Sequence, residues 1–109
     1  MGFGLKIFFL CFFSTVVLAT PTTDQLDNAD YLNGKNAFQQ RCSACHTLAA
    51  DSANIVGPNL WQIFGRNVGE DPSYNYSSSM GSSDLIWDKE LIYRFLKGPQ
   101  KLFPGSTMM

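Results

Sequence analysis

The sequence predicts one all-α domain built from short helices and long loops. Two segments carry the start and stop signals of helices, one ending near residue 40 and one beginning near residue 88. Between them, residues 48–83 are rich in Gly, Ser, Asn and Pro, and no strand pattern is longer than a few residues. Because so long a loop region is unusual in a compact domain, we expect something other than side chains to fill part of the core.

The first 19 residues are typical of a secretory signal. Lys6 precedes an apolar run that ends in the small-residue pattern Val17-x-Ala19, so we expect residues 1–19 to be removed and the mature chain to begin at Thr20. A membrane anchor is the alternative interpretation, and retention of the segment would tether the protein to a membrane. The run is shorter than the roughly 20 apolar residues that a transmembrane helix needs. Export to the periplasm is therefore the prediction.

The composition excludes several classes of protein. The chain has 109 residues, of which 16% are charged, and its net charge of -1 indicates neither a nucleic-acid-binding protein nor an acidic tail.

Removal of the signal takes away Cys11 and leaves two cysteines, Cys42 and Cys45. In an exported protein such a pair often forms a disulfide. A bridge across two residues closes almost no loop, however, and so explains the pair poorly.

Residues 20–29 are polar and rich in Thr, which predicts a flexible leader before the domain at 30–109. Asp27 or Asn28 is the expected N-cap of the first helix, which we expect to run to about Gln40 with Asp30 in its first turn.

The second helix has clear boundaries in "DKELIYRFLKGP". Asp88 and Glu90 lie in its first turn, Arg94 and Lys97 come late, and Gly98 marks its end. The expected buried stripe consists of Leu91, Ile92, Phe95 and Leu96.

The motif "RCSACHT" places Cys42, Cys45 and His46 within five residues. A structural zinc site needs a fourth ligand, usually Cys or His, and the mature chain has no other residue of either type. A thioredoxin-like redox pair needs a βαβ context, which the loop-rich region does not offer. In covalent haem attachment, each thiol forms a thioether with a vinyl group and the imidazole is the proximal iron ligand. The motif therefore predicts one covalently bound haem c.

The natural candidate for a sixth iron ligand is a methionine, since the chain has no second histidine. Met80 lies in "SSSMGSS", which we expect to be a flexible polar loop. Met108 follows "FPGST", where Pro104 and Gly105 predict a tight turn that directs a short segment at the haem. Met108 is the predicted ligand, with Met109 as the near alternative.

From about residue 30 to 108 the chain resembles the small class I c-type cytochromes, which include mitochondrial cytochrome c and bacterial periplasmic carriers. The stretches that carry the resemblance are "GKNAFQQRCSACHTL", "GPNLWQIFGR", "YNYS", "IWDKELIYRFLKGPQK" and "FPGSTM", in the order of the family. The resemblance implies the cytochrome c fold, with short helices and long loops around haem. It also implies an electron carrier that makes and breaks no substrate bond and is therefore not an enzyme.

The resemblance also implies roles for single residues. Pro58 would accept the second imidazole N–H of His46 through its backbone carbonyl, and Leu60 would pack on the haem. The groups that would contact the propionates are Arg66, Tyr76, Trp87 and Ser106.

Two features depart from the family. Phe95 stands where many relatives have a tyrosine whose hydroxyl reaches the methionine sulfur, so that hydrogen bond is absent. The family continues from its axial methionine into a C-terminal helix that crosses the first helix near the position of Gly34, and this sequence stops at Met109. We therefore expect a C-terminally incomplete domain without that helix.

The partners that the resemblance implies are a cytochrome bc-type donor and a terminal oxidase or photosynthetic acceptor, with the protein acting as a monomer and without nucleic acid. Lys35, Lys97 and Lys101 form either a basic patch near the haem edge or scattered solvated charges. Two alternatives to the carrier are a five-coordinate haem sensor or peroxidase-like module and a non-functional truncated fragment.

Overall fold

The computed structural model describes residues 19–109, and these residues form five helices. The predicted signal segment lies outside the described residues except for Ala19. The helices are α1 (Thr23–Asp27), α2 (Tyr31–Arg41), α3 (Ser78–Gly81), α4 (Lys89–Lys97) and α5 (Pro99–Leu102). Residues 19–109 contain no strand beyond a single antiparallel bridge between Asn67 and Ile86, which confirms the all-α prediction. None of their helices combines the length and the apolar character needed to cross a membrane.

The segment predicted as a flexible leader contains α1. Thr22 caps this helix by a reciprocal pair of hydrogen bonds: its N–H donates to Gln25 Oε1 at 2.9 Å, and its hydroxyl accepts from the Gln25 N–H at 3.4 Å. The pattern Thr-x-x-Gln is a capping box. The capping box can be recognised in the sequence, but it lies in a polar stretch in which no apolar residues recur at helical spacing.

The first long helix begins later than predicted. Asp30 caps α2 by accepting the Asn33 N–H at 2.8 Å, whereas Asp27 and Asn28 end α1. The predicted caps were therefore wrong, because α1 already uses those residues. Asp30 was predicted to lie in the first turn of this helix. It has the extended backbone of an N-cap and so precedes the first turn.

The prediction for "DKELIYRFLKGP" differs from α4 in two details. Asp88 is the N-cap, accepting the Leu91 N–H at 2.7 Å, and Leu96 is 58% exposed. Leu96 comes five residues after the buried Leu91, which rotates it by roughly 140° around the helix and away from the core. Pro99, which directly follows the predicted helix end at Gly98, is the first residue of α5, which packs against α4.

A small apolar core joins α3, α4 and the segment after α5. Its buried members are Val68, Met80, Trp87, Leu91 and Phe103. The rings of Trp87 and Phe95 meet edge to face at 5.3 Å, and Phe103 packs against both rings. Met80 was predicted to lie in a flexible loop, and this was wrong: the Ser77 side chain caps α3, and the core holds the methionine at 9% exposure.

α2 is exposed along its length. None of its residues is buried, Tyr31 and Leu32 are more than 60% exposed, and Phe38 is only half-buried. A Cβ added at Gly34 would meet no heavy atom within 4 Å. Within residues 19–109, Gly34 is therefore not a point of close helix crossing.

Candidate functional site

The Cys-x-x-Cys-His motif forms one further turn of chain after α2 ends. The Cys42 N–H donates to Phe38 O at 2.8 Å, and the N–H groups of Cys45 and His46 both donate to Cys42 O, at 3.0 and 2.9 Å. Both cysteines are half-buried free thiols. Because the turn is closed by its own backbone hydrogen bonds, it presents both thiols and the imidazole from one small segment.

The imidazole of His46 is held on two sides. Its Nδ1 lies 2.8 Å from Pro58 O, and since a carbonyl can only accept, Nδ1 carries the proton and Nε2 keeps the free lone pair. On one side lies the backbone of Gly57, where an added Cβ would stand 2.8 Å from both ring nitrogens. The ring therefore fits only against a glycine, and its Nε2 is available to bind a metal.

The loop that supplies Pro58 is fastened to the motif. The Gly57 N–H donates to Cys45 O at 2.7 Å, and the Leu60 N–H donates to Thr47 O at 2.9 Å. The Asn59 side chain donates to Thr47 Oγ1 and to Ala49 O, both at 2.8 Å. These bonds fix the position of the carbonyl that faces His46.

A cleft of about 380 Å³ opens beside the motif, between it and the apolar core. Every site residue predicted from the sequence lines this cleft: Cys42, Cys45, His46, Pro58, Leu60, Arg66, Tyr76, Trp87, Phe95, Ser106 and Met108. Sequence reasoning missed several lining residues, among them Val56, Gly57 and Ile63. Gly57 and Ile63 belong to "GPNLWQIFGR", so that quoted stretch held the signal that would have found them.

The charged groups of the cleft wall are cationic. Among the described residues, Arg41 and Arg66 are the only charged side chains that line it. Arg66 is fixed because its Nη1 donates to Asn59 O at 3.0 Å and to Trp61 O at 3.3 Å. Beside it, burial raises the pKa of Tyr76, which therefore stays a neutral donor at ordinary pH. This end of the cleft suits a carboxylate, the chemical group of a haem propionate.

Three methionines line the same cleft, namely Met80, Met108 and Met109. Met108 is half-buried, and its N–H donates to the hydroxyl of the buried Ser106 at 3.3 Å. The turn before it requires Gly105, whose φ of +84° suits a residue without a side chain. Which methionine binds iron stays a prediction. Met80 is less free to move, because the core already holds it.

The three lysines considered for a basic patch do not line the cleft. None of Lys35, Lys97 and Lys101 lines it, and the exposed cation that does is Arg41. Lys97 instead lies over the ring of Tyr93, at 5.7 Å from its centroid.

The donor set fits covalent haem. Two free thiols, an imidazole with Nε2 available and a methionine thioether surround a cleft whose remaining wall is mostly apolar. Within residues 19–109, no three or more His, Cys, Asp or Glu side chains are arranged to hold a metal ion.

Comparison with known proteins gives one consistent result. The family model described as cytochrome c matches residues 31–103. Cytochrome c2 of Agrobacterium tumefaciens is 44% identical over 82 residues, covering 72% of this chain and 73% of that protein. Cytochrome c of Stellaria longipes is 35% identical over 79 residues, with coverage of 72% and 73%. Cytochrome c2 of Rhodopila globiformis is 37% identical over 79 residues, with coverage of 72% and 74%.

Proposed function

Since the chain belongs to the cytochrome c family and so binds one covalently attached haem c, we propose that it carries single electrons between membrane-bound redox complexes in the periplasm. The main observation in support of the proposal is the way in which the chain holds the His46 imidazole. Its imidazole is fixed between Gly57 and the Pro58 carbonyl, with two free thiols on the same turn. This arrangement is what a permanent, redox-active iron site requires from the chain.

Four side chains would hold the cofactor. The thiols of Cys42 and Cys45 would hold it through thioether bonds to its vinyl groups, and His46 Nε2 and the Met108 sulfur would bind its iron. When bound, haem supplies one chemistry, the gain and loss of a single electron at iron. His/Met ligation favours the ferrous state and raises the reduction potential.

The residues around the site restrict rotation of the His46 ring and would limit the access of water to a bound haem. His46 cannot rotate without losing its bond to Pro58 or striking Gly57. The apolar side chains of Leu60, Trp87 and Phe95 line the cleft and would shield a bound haem from water. Because ligand and wall positions need not change between oxidation states, an electron can be exchanged with little rearrangement of the protein.

The surface beside the cysteines suits brief contact with a partner. Val56 is 71% exposed and Arg41 is also exposed, and both line the cleft close to the motif. The weak net charge of the chain adds little long-range attraction. We propose that this surface meets a cytochrome bc-type donor and an oxidase or photosynthetic acceptor in turn.

The test begins with production of the full chain alongside a haem-ligation system. Pigment that stays on the protein in acid acetone shows covalent attachment, and a chain without a Soret band would contradict the proposal. The ferrous protein should react slowly with carbon monoxide, because a methionine already occupies the sixth position. Met108→Ala provides the matched control, since it opens that position and should react fast. Equal fast reaction of both proteins would favour a five-coordinate sensor.

A second experiment tests the location and the partners. The periplasmic fraction should contain a haem protein whose N-terminus is Thr20, whereas the membrane fraction would contain it if the signal is retained. Added to bacterial membrane vesicles, the reduced protein should be oxidised in a reaction that cyanide stops. Oxidation that continues at the same rate in the presence of cyanide would contradict electron transfer to a terminal oxidase.

A further inference from the structure

A continuous chain of hydrogen bonds leads from the carboxylate of Asp71 to the imidazole of His46. Asp71 Oδ2 accepts from Asn54 Nδ2 at 3.0 Å, and Asn54 Oδ1 accepts from the Asn59 N–H at 2.7 Å. The carbonyl of that same peptide group, Pro58 O, accepts from His46 Nδ1 at 2.8 Å. We refer to this series of contacts as the Asp71 relay.

The Asp71 relay has one direction. A carboxylate can only accept and a peptide N–H can only donate, so the orientation of the Asn54 amide is fixed at both of its ends. Each amide donates on the Asp71 side and accepts on the His46 side. The dipoles therefore align, and in such a series each hydrogen bond strengthens the next.

The relay begins at an ionised group. Hydrogen bonds from the Ser73 side chain, from Asn54 and from the Ser73 backbone hold the pKa of Asp71 below its ordinary value, and Arg66 adds to this effect. Tyr76, another titratable group near Asp71, stays neutral at ordinary pH because burial raises its pKa. The anionic carboxylate increases the negative partial charge on Asn54 Oδ1 and, through the peptide group, on Pro58 O.

We propose that Asp71 and Asn54 are positioning residues that strengthen electron donation from His46 to the haem iron through the Pro58–Asn59 peptide group. The proposal rests on haem ligation by His46, as in the proposed function. A stronger acceptor at Nδ1–H makes the imidazole more basic, and a more basic ligand stabilises ferric over ferrous iron. Breaking the relay should therefore raise the reduction potential.

Three variants of the haem-containing protein separate the relay from a simple charge effect. Asp71→Asn removes the charge but keeps an oxygen of the same shape for Asn54. Asn54→Leu removes the amide but keeps the Asp71 charge. Asp51→Asn is the control, because Asp51 is an exposed carboxylate of the same loop region with no part in the relay.

The direct readout is the proton spectrum of the ferrous, diamagnetic protein. In Asp71→Asn and in Asn54→Leu, the His46 Nδ1–H and the Asn59 amide proton should move to lower frequency, and the His46 ring proton should exchange faster with solvent. The Trp61 amide, which bonds to Asn59 Oδ1 at 2.8 Å, is the internal reference and should stay in place. Asp51→Asn should leave all three resonances unchanged.

The double variant decides between the relay and a field acting through space. If Asp71 acts through Asn54, the potential of Asn54→Leu with Asp71→Asn equals that of Asn54→Leu alone. Additive rises in potential, or an unmoved His46 ring proton in Asp71→Asn, would overturn the proposal, and the second outcome applies even if Asn54→Leu does not fold. Failure of the wild-type chain to hold haem would instead contradict the proposed function.

Discussion

Replacement of Gly57 by alanine tests the tight contact between the His46 ring and the backbone. The new Cβ would lie 2.8 Å from both ring nitrogens and closer still to Cε1, whereas ordinary contacts begin at 3.4 Å, so the ring must retreat by more than about 0.6 Å. Overpacking of this kind costs about 1 to 3 kcal/mol, and weakening the bond to Pro58 adds about 0.5 to 1.5 kcal/mol. We expect a loss of about 2 to 4 kcal/mol in the free energy of unfolding, a large share of the roughly 5 to 15 kcal/mol of a typical domain.

The assay is denaturant unfolding of the haem-containing protein, followed by its absorption, with a lower midpoint and an unchanged slope as the expected result. Gly34→Ala is the matched control, because its Cβ meets nothing within 4 Å and it lies inside α2. It should gain about 0.5 to 1 kcal/mol. A Gly57→Ala protein as stable as wild type would refute the argument, since it would mean that the ring moves freely.

Three further predictions concern the ligands and Asp71. Cys45→Ser should keep at most one covalent link, so its pyridine haemochrome band should lie at longer wavelength than that of wild type, and an unchanged band would count against the assignment. Met108→Ala should lose the weak ferric band at the red end of the spectrum, whereas Met80→Ala should keep it but lose about 2 to 5 kcal/mol of stability as a buried core residue; the opposite spectral result would make Met80 the ligand. Because the pKa of Asp71 is lowered in the folded state, its carboxylate stabilises the protein above its ordinary pKa of 3.8. Asp71→Asn should therefore be less stable than wild type at pH 7, and the difference should shrink as the pH falls below 3.8; a difference that is constant with pH would contradict this.

The predictions that rest on local signals needed the least knowledge of the fold. The motif of Cys42, Cys45 and His46 acts within one turn, so its chemistry can be read without knowledge of the fold. The end of α4 was equally local, because Lys97 and Gly98 mark it within two residues. The more distant lining residues followed from the order of the family stretches and not from any pattern within the chain.

Contacts between distant segments could not be predicted in the same way. Met80 lies in a Ser-rich stretch that indicates a loop, and its burial depends on Val68 and Trp87. The bond from Asn54 to Asp71 joins residues 17 positions apart in two irregular loops. No periodic pattern pairs such residues, since each is polar and ordinary for a turn.

The position of α2 shows why cofactor and fold depend on each other in this protein. Among the described residues, α2 packs against no other helix and buries none of its side chains. A helix of 11 residues is marginal on its own in water. The turn that follows α2 carries Cys42 and Cys45. Trp87 and Phe95 line the same cleft; Trp87 is a buried member of the core, and Phe95 packs against it. A group bound to both cysteines and packed on both aromatic rings therefore joins α2 to the core, so that haem attachment stabilises the fold in addition to supplying its chemistry.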